Sequence, residues 1–242
     1  MSGRSGRAVR GAPNTLAQQV YVALREWLVS GVLSPGEKLS LRTVAERLDV
    51  SMMPVREAVS RLVADRALEV LPNRAVRVPV LSLRQFRELT TIRLAIEGFA
   101  AERAAGLRGA TELASMRRFD AAFRRQCGRA RPDAAAAVKA NRALHFAVYR
   151  AAQLPALLAI IEGLWLRIGP VLNLDLRGSP ERLKLGGAEA CHADLVAAID
   201  KGDRRRARAA LVADISRAAA FIESRGVLPD EARAAATRRK ER

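Results

Sequence analysis

Cysteine and histidine are both scarce in this chain of 242 residues, with two of each. Cys127 and Cys191 lie too far apart for a CxxC metal clip, and two cysteines make no disulfide framework. A reduced, cytoplasmic setting is expected. Aromatic residues are only 4% of the chain, while Ala and Leu are plentiful, which favours close-packed helices over sheet. Long apolar runs are missing too. "LPALLAIIEGLWLRIG" meets Glu162 and Arg167 before reaching spanning length, and the opening "MSGRSGRAVRGAPN" lacks the apolar stretch of a signal peptide. No membrane partner is expected. Acid is the last shortage: 25 Asp and Glu stand against 42 Lys and Arg, a net charge of +17. An anionic partner follows, nucleic acid first. The surplus is spread along the chain, however, and only five of the bases are Lys, so bulk charge locates no site.

What the chain does have is helical periodicity with clear punctuation. After a flexible basic arm (1–14), Leu16, Val20, Leu24 and Leu28 recur at helical spacing and predict a helix over about 15–30. "SGVLSPGEKLS" breaks it, and a short helix follows at about 41–48. The tight "LDVS" turn then leads into a third helix, with Ser51 placed to cap it and Pro54 in its first turn. "LEVLPNRAVRVPV" alternates apolar residues about a Pro-Asn turn, the pattern of a two-stranded hairpin. Helix, helix, turn, helix, hairpin is the order of a winged helix-turn-helix, here 15–80. Beyond Pro79 and Ser82 the pattern is wholly helical, with helices expected near 83–105, 111–128, 133–152, 155–177, 186–201 and 203–225. Six such helices form an antiparallel bundle over 81–228, followed by a frayed tail (229–242). The expected fold is therefore mainly α: a winged helix-turn-helix of three helices and a small β-hairpin, then an all-α antiparallel six-helix bundle.

The second helix of a helix-turn-helix presents its N-terminal residues to base edges in the major groove. Arg56 lies one turn into that helix, where its guanidinium can take a guanine O6 and N7 together. Ser51 and the free N–H groups of the first turn suit a phosphate. Arg61 and Arg66 read more simply as a solvated face.

Residues 16–80, with "VSMMPVREA" and "PNR" as the specific signature, resemble the N-terminal domain of the GntR family of bacterial transcription regulators. The resemblance implies that Arg56 contacts bases, and that Arg42 on the second helix and Arg74 in the wing also meet DNA. Family members usually carry a basic residue and a threonine where this chain has Met52 and Met53, and glycine where it has Ala75. An atypical operator follows from the first departure, with apolar contact to a thymine methyl in place of a charged readout. From the second, Ala75 has to avoid the positive φ that glycine tolerates.

Both histidines sit on apolar helix faces. Asn141 and His145 are four apart and project side by side, while His192 and Asp214 lie ten residues before and twelve after Gly202. At a helical rise of about 1.5 Å per residue these stand roughly 15 and 18 Å from the turn, so a hairpin brings them together. Spacing alone leaves two readings open: a hydrogen-bonded Asp–His pair with an unrelated histidine nearby, or a metal site. "RLAIEGFAAERA", "NRALHFAVYRAA" and "ACHADLVAAIDKGDRRRARAALVADI" resemble the FCD effector-binding domain of the FadR branch. Many such domains bind a metal through Asp, His, His and His. The resemblance thus implies Asn141, His145, His192 and Asp214 here, with the carboxylate moved from the first ligand to the last. A neutral carbonyl at Asn141 is a weaker donor, and the mixed set suits Zn, Ni, Mn or Fe alike. Cys191 points about 100° away from His192 around the helix and is left out of the ligand set. The resemblance also implies Arg93 as an effector-carboxylate candidate, while the four-residue spacing to Glu97 predicts an internal salt bridge between the two.

These readings converge on a ligand-responsive regulator that represses by binding a palindromic double-stranded operator as a homodimer. A small carboxylic acid would be its effector and a divalent metal ion its cofactor. The rival is a metal-dependent enzyme on the bundle with a basic accessory domain, for which no motif supplies a general base.

Overall fold

The computed structural model describes residues 15–178, 183 and 187–230. The basic arm, the expected break around Pro180 and Gly186, and tail residues 231–242 lie outside them. The winged domain runs α1 (Leu16–Val29), β1 (Lys38–Leu39), α2 (Leu41–Leu48), α3 (Met52–Ala64), β2 (Glu69–Val70) and β3 (Val76–Arg77). The bundle follows as α4 (Leu83–Leu107), α5 (Ala110–Cys127), α6 (Ala134–Ala151), α7 (Pro155–Gly178), α8 (Ala188–Lys201) and α9 (Arg204–Ser224).

Most helix starts are set by a side chain that accepts from an otherwise unpaired first-turn N–H. Thr15, Ser40, Asp133 and Asp203 each do this, and Ser82 forms a full capping box with Gln85. The wing differs from expectation by a third strand. β1 pairs with β3, Lys38 opposite Arg77 and Leu39 opposite Val76, giving the antiparallel order β1-β3-β2. Two residues carry no period of their own, and their pairing to β3 spans nearly forty residues, so no local pattern could announce β1.

The expected apolar stripes are buried, apart from Leu16 at the start of α1, which is 55% exposed. Val20, Leu24 and Leu28 of α1 close on Val55, Ala58, Val59 and Leu62 of α3 and on Val76 and Val78 of the wing, joined by Leu166 from α7. The bundle core gathers Ala101, Ala104 and Ala105 of α4, Leu144 and Val148 of α6, Leu195 and Ile199 of α8, and Leu211 and Ile215 of α9. Alanines at the contacts let these helices approach closely. Pro155–Asn173 of α7 is long and apolar enough to cross a membrane by length and composition, a longer stretch than the sequence reading allowed. Here its Ile161, Trp165, Leu166 and Ile168 are core residues wedged between the two domains.

That wedge fixes the winged domain to the bundle. The Asn173 amide donates to the last carbonyl of α1, Val29 O, at 2.7 Å. Arg25 pairs with Glu162 of α7 at 2.9 Å, and Glu26 with Arg142 of α6 at 2.7 Å. Gly31 turns the chain away at φ 71°, and a Cβ there would collide with that of Asn173. At the other end the Pro229 carbonyl accepts from Leu83 N–H at 2.9 Å, so the chain is still held at the point where fraying was expected to begin.

Candidate functional site

The exposed end of the winged domain collects the residues singled out for DNA. Arg56 projects from α3, exposed and with no side-chain partner among the described residues. Arg74 stands at the wing tip, also exposed and unpartnered. Arg42 is exposed and held at 3.0 Å by Glu46 one turn along α2. Ser51 occupies the N-cap position of α3 in extended conformation but makes no capping hydrogen bond, contrary to its expected local role. The first-turn N–H groups of α3 therefore face outward without an acceptor, the arrangement that suits an anion at a helix N-terminus.

Two departures from the family pattern resolve differently. Met52 turns inward and packs against the core of the winged domain, so only Met53, 71% exposed, reaches the surface where a base would be read. At the wing, the left-handed residue is Arg74, at φ 63°, and Ala75 escapes the positive φ, its N–H bonding the Asn73 side chain. The strain sits on Arg74, which the turn Leu71–Ala75 fixes by hydrogen bonds at both ends. Arg61, expected as a solvated face, stacks on the Tyr21 ring at 4.0 Å and donates to Gln18. It joins α3 to α1.

Inside the bundle, α6, α8 and α9 bring His145, His192 and Asp214 together. Their donor atoms all lie within 4.8 Å of one another and all three are buried. His145 Nε2 is 3.2 Å from Asp214 Oδ2, and His192 Nε2 is 3.6 Å from Asp214 Oδ1. Donors bonded to one ion at about 2.1 Å stand roughly 3.0–3.4 Å apart, so the spacing fits a shared cation. Asn141 lines the same pocket, a space of about 30 Å³, with Arg93, Trp165 and Asp214.

The Arg93–Glu97 pair expected from the sequence extends through Tyr149, which the sequence reading missed, to set the tautomer of His145. Arg93 grips Glu97 through Nε at 2.6 Å and a terminal nitrogen at 3.1 Å, with both residues buried. Tyr149 donates its hydroxyl proton to Glu97. Burial, and then the Glu97 carboxylate, raise the Tyr149 pKa well above its ordinary value, so the phenol keeps that proton. His145 Nδ1, 2.9 Å from the same oxygen, must then be the donor. In the neutral ring Nε2 is consequently a bare lone pair, aimed at Asp214.

A lone pair facing a carboxylate is repulsive unless a cation lies between them. Neither Nε2 atom has a hydrogen-bond partner, and His192 Nδ1 has none either. Burial alone would push the Asp214 carboxyl up. As imidazolium, the facing His192 and His145 would overcome it and hold that carboxyl far below the usual carboxylate range; with neutral rings, a bound cation has to supply that positive charge instead. The two orphaned Nε2 atoms beside an anionic oxygen are what a divalent cation would satisfy, since each imidazole gives one ion a single nitrogen. Asp120 of α5 adds a buried oxygen without a partner, its other oxygen being held by Arg124 at 3.1 Å. Arg93, an effector candidate by resemblance, has two of its N–H groups committed to Glu97 and lines the pocket.

Comparison with known proteins gives a consistent result. A profile described as bacterial regulatory proteins of the gntR family matches residues 16–78, and an FCD-domain profile matches residues 88–217. Over 159 residues the chain is 35% identical to the HTH-type transcriptional regulator McbR of Escherichia coli strain K12, covering 66% of this chain and 71% of McbR. It is 39% identical over 90 residues to the HTH-type transcriptional repressor RspR of the same strain, covering 37% of this chain and 40% of RspR. The solved structure of E. coli McbR/YncC is similar with a TM-score of 0.80 at 30% identity, covering 87% of this chain and 98% of that one.

Proposed function

Since the chain belongs to the gntR family of bacterial regulatory proteins and carries an FCD domain, it is a transcription regulator and not an enzyme, and we propose that it represses by binding a palindromic operator as a homodimer. Two copies of α3 would enter successive major grooves, about 34–36 Å apart. Arg56 takes the base-reading role, supported by its exposure and lack of any partner. Arg42, Arg74 and the open N-terminus of α3 at Ser51 take the phosphates. Met52, in the place of the usual basic residue, turns inward, and the exposed Met53 beside it offers an apolar contact that favours a thymine methyl. That RspR is described as a repressor supports the negative sign of control.

In the bundle, Asn141, His145, His192 and Asp214 are proposed to hold one divalent cation, zinc, nickel, manganese or iron, and the observation that carries this is the pair of orphaned Nε2 atoms against Asp214. When bound, such an ion supplies an open position for a carboxylate oxygen of a small acid effector. Arg93 would meet the second oxygen with its free N–H groups. His145 lies on α6, which also holds α1 through Arg142, so a shift of α6 on effector binding would change the placement of the winged domain.

The test pairs metal analysis with operator binding. Purified protein dialysed against zinc should carry about one ion per chain by elemental analysis, and the His145→Ala/His192→Ala double variant should carry none. Small carboxylates should release a palindromic duplex from the wild type and lose that power over the double variant. Unchanged metal content in the variant would sink the assignment.

A further inference from the structure

The pocket at the histidines has room for about one water-sized group beside an ion, since its free space is about 30 Å³. That suits a carboxylate head on the ion, whereas an aromatic or long-chain body needs several times more. Such space exists elsewhere, on the other side of α6. A cleft of about 550 Å³ opens where α1 meets α6 and α7, well inside the range of small-molecule sites. Lys139, Arg142, Phe146 and Arg150 of α6 line it. These positions recur at three- and four-residue spacing, so they share one face, turned more than 100° from the face carrying Asn141 and His145. The helix is thus a partition with the metal-ligand set behind it and the cleft in front.

The lining chemistry selects a ligand class. Four cations, Arg25, Lys139, Arg142 and Arg150, stand against two carboxylates, Glu26 and Glu162. Both carboxylates are already used in the cross-domain pairs Arg25–Glu162 and Arg142–Glu26. Lys139 and Arg150 remain, both exposed and neither with an acidic partner among the described residues, and Arg150 lies over the Phe146 ring at 5.6 Å. Phe119 and Phe146 supply aromatic walls, while Val22 and Val29 bring apolar surface from α1. Val22 is 52% exposed although it lies in this concavity, so apolar area is still available there for burial.

We propose that this cleft is a second small-molecule site, separate from the metal pocket, for an anion with an apolar or aromatic body, an aryl or acyl carboxylate. Its carboxylate meets Lys139 and Arg150, and its body packs between Phe119, Phe146 and the valines of α1. Because the cleft is walled by both domains, an occupant bridges them directly and stiffens the placement of α1, on whose far side α3 is packed. That regulatory consequence rests on the reading of the chain as a DNA-binding regulator, whereas the site itself does not.

Full-length protein titrated with 4-phenylbutyrate, followed by calorimetry and saturation-transfer NMR, tests the proposal. Saturable one-site binding is expected in the wild type, with transfer strongest to the aromatic protons. The exposed-surface variant Lys139→Glu/Arg150→Glu should bind about tenfold more weakly or worse, as should the neutral analogue 4-phenylbutan-1-ol toward the wild type. Prior treatment with EDTA should leave the affinity within about twofold. Equal affinity in the double variant, equal affinity for the alcohol, or no saturable binding at all overturns the site. So does binding that vanishes with EDTA and returns with zinc, which would place the probe in the metal pocket. The regulator reading fails on a different measurement, the absence of any sequence-specific duplex binding.

Discussion

Tyr149→Phe removes one oxygen and nothing else, and its consequences follow from that oxygen's two bonds. In the native protein the Tyr149 hydroxyl donates to Glu97 and accepts from His145 Nδ1, with all three groups buried. Phenylalanine fills the same volume and keeps the packing on Trp165, whose ring centroid is 6.5 Å away. It leaves a Glu97 oxygen short of a donor and a ring N–H short of an acceptor. Leaving a buried polar group unpaired costs about 1–3 kcal/mol, and relief through a tautomer flip lowers the sum, so about 2 kcal/mol is expected overall. For a chain of this size that lowers Tm by roughly 4–8 °C. The more specific effect falls on the metal. Once Nδ1 loses its acceptor, nothing keeps the proton there, and the Nε2–H tautomer, now able to donate to Asp214 at 3.2 Å, competes with the cation for that nitrogen. Loss of such an outer partner typically weakens metal binding about 10–100-fold. Zinc titration by calorimetry against a competing chelator, with thermal denaturation of the metal-free protein alongside, separates the two effects. A variant with lowered Tm but zinc affinity within twofold of wild type would refute the tautomer argument, leaving Tyr149 as a packing residue only.

Other outcomes follow from the same geometry. Arg56→Ala should cost about 1–3 kcal/mol of operator binding in gel-shift titrations and relax discrimination at one base pair, whereas an equal loss on random duplex would move Arg56 to the phosphates. Gly31→Ala places a Cβ against Asn173 at a residue with φ 71°, so it should weaken the junction between winged domain and bundle. Limited proteolysis at the Ser30–Ser34 turn would then accelerate several-fold, and an unchanged digest would show that the junction does not depend on this fit. Cys127 is buried, and burial, followed by the nearby Glu189 carboxylate, pushes its thiol up to about 11. Little of it is thiolate at pH 8, so iodoacetamide should label it slowly in the native protein and rapidly after unfolding; fast native labelling would contradict its environment.

Local order was largely legible. The expected 41–48 helix is α2, Leu41–Leu48, and the bundle helices begin and end within about two residues of expectation, because caps and apolar periodicity act over one or two turns. The rise-per-residue argument that set His192 opposite Asp214 also held, the two side chains lying 3.6 Å apart. Where expectation fell short, the cause was distance along the chain. Strand β1 exists only by pairing with β3. The fate of Met52 depended on a core built by three helices, and only its neighbour Met53 stayed outside. Tyr149 sits four residues from His145, a spacing that could have flagged it, but its partner Glu97 is 52 residues away.

Amino-acid order alone determined the class of this molecule: scarce aromatics, abundant Ala and Leu, and a helix-turn-helix signature allow little besides a winged DNA reader joined to a helical bundle. Tertiary structure decided the hydrogen-bond partner of His145 Nδ1, the grouping of His145, His192 and Asp214, and the cleft on the opposite face of α6. The division has a physical origin. Periodicity and capping are interactions between near neighbours, recorded in each short segment, whereas a proton's position or a cavity's shape is fixed by groups that meet only after helices far apart in the chain have packed.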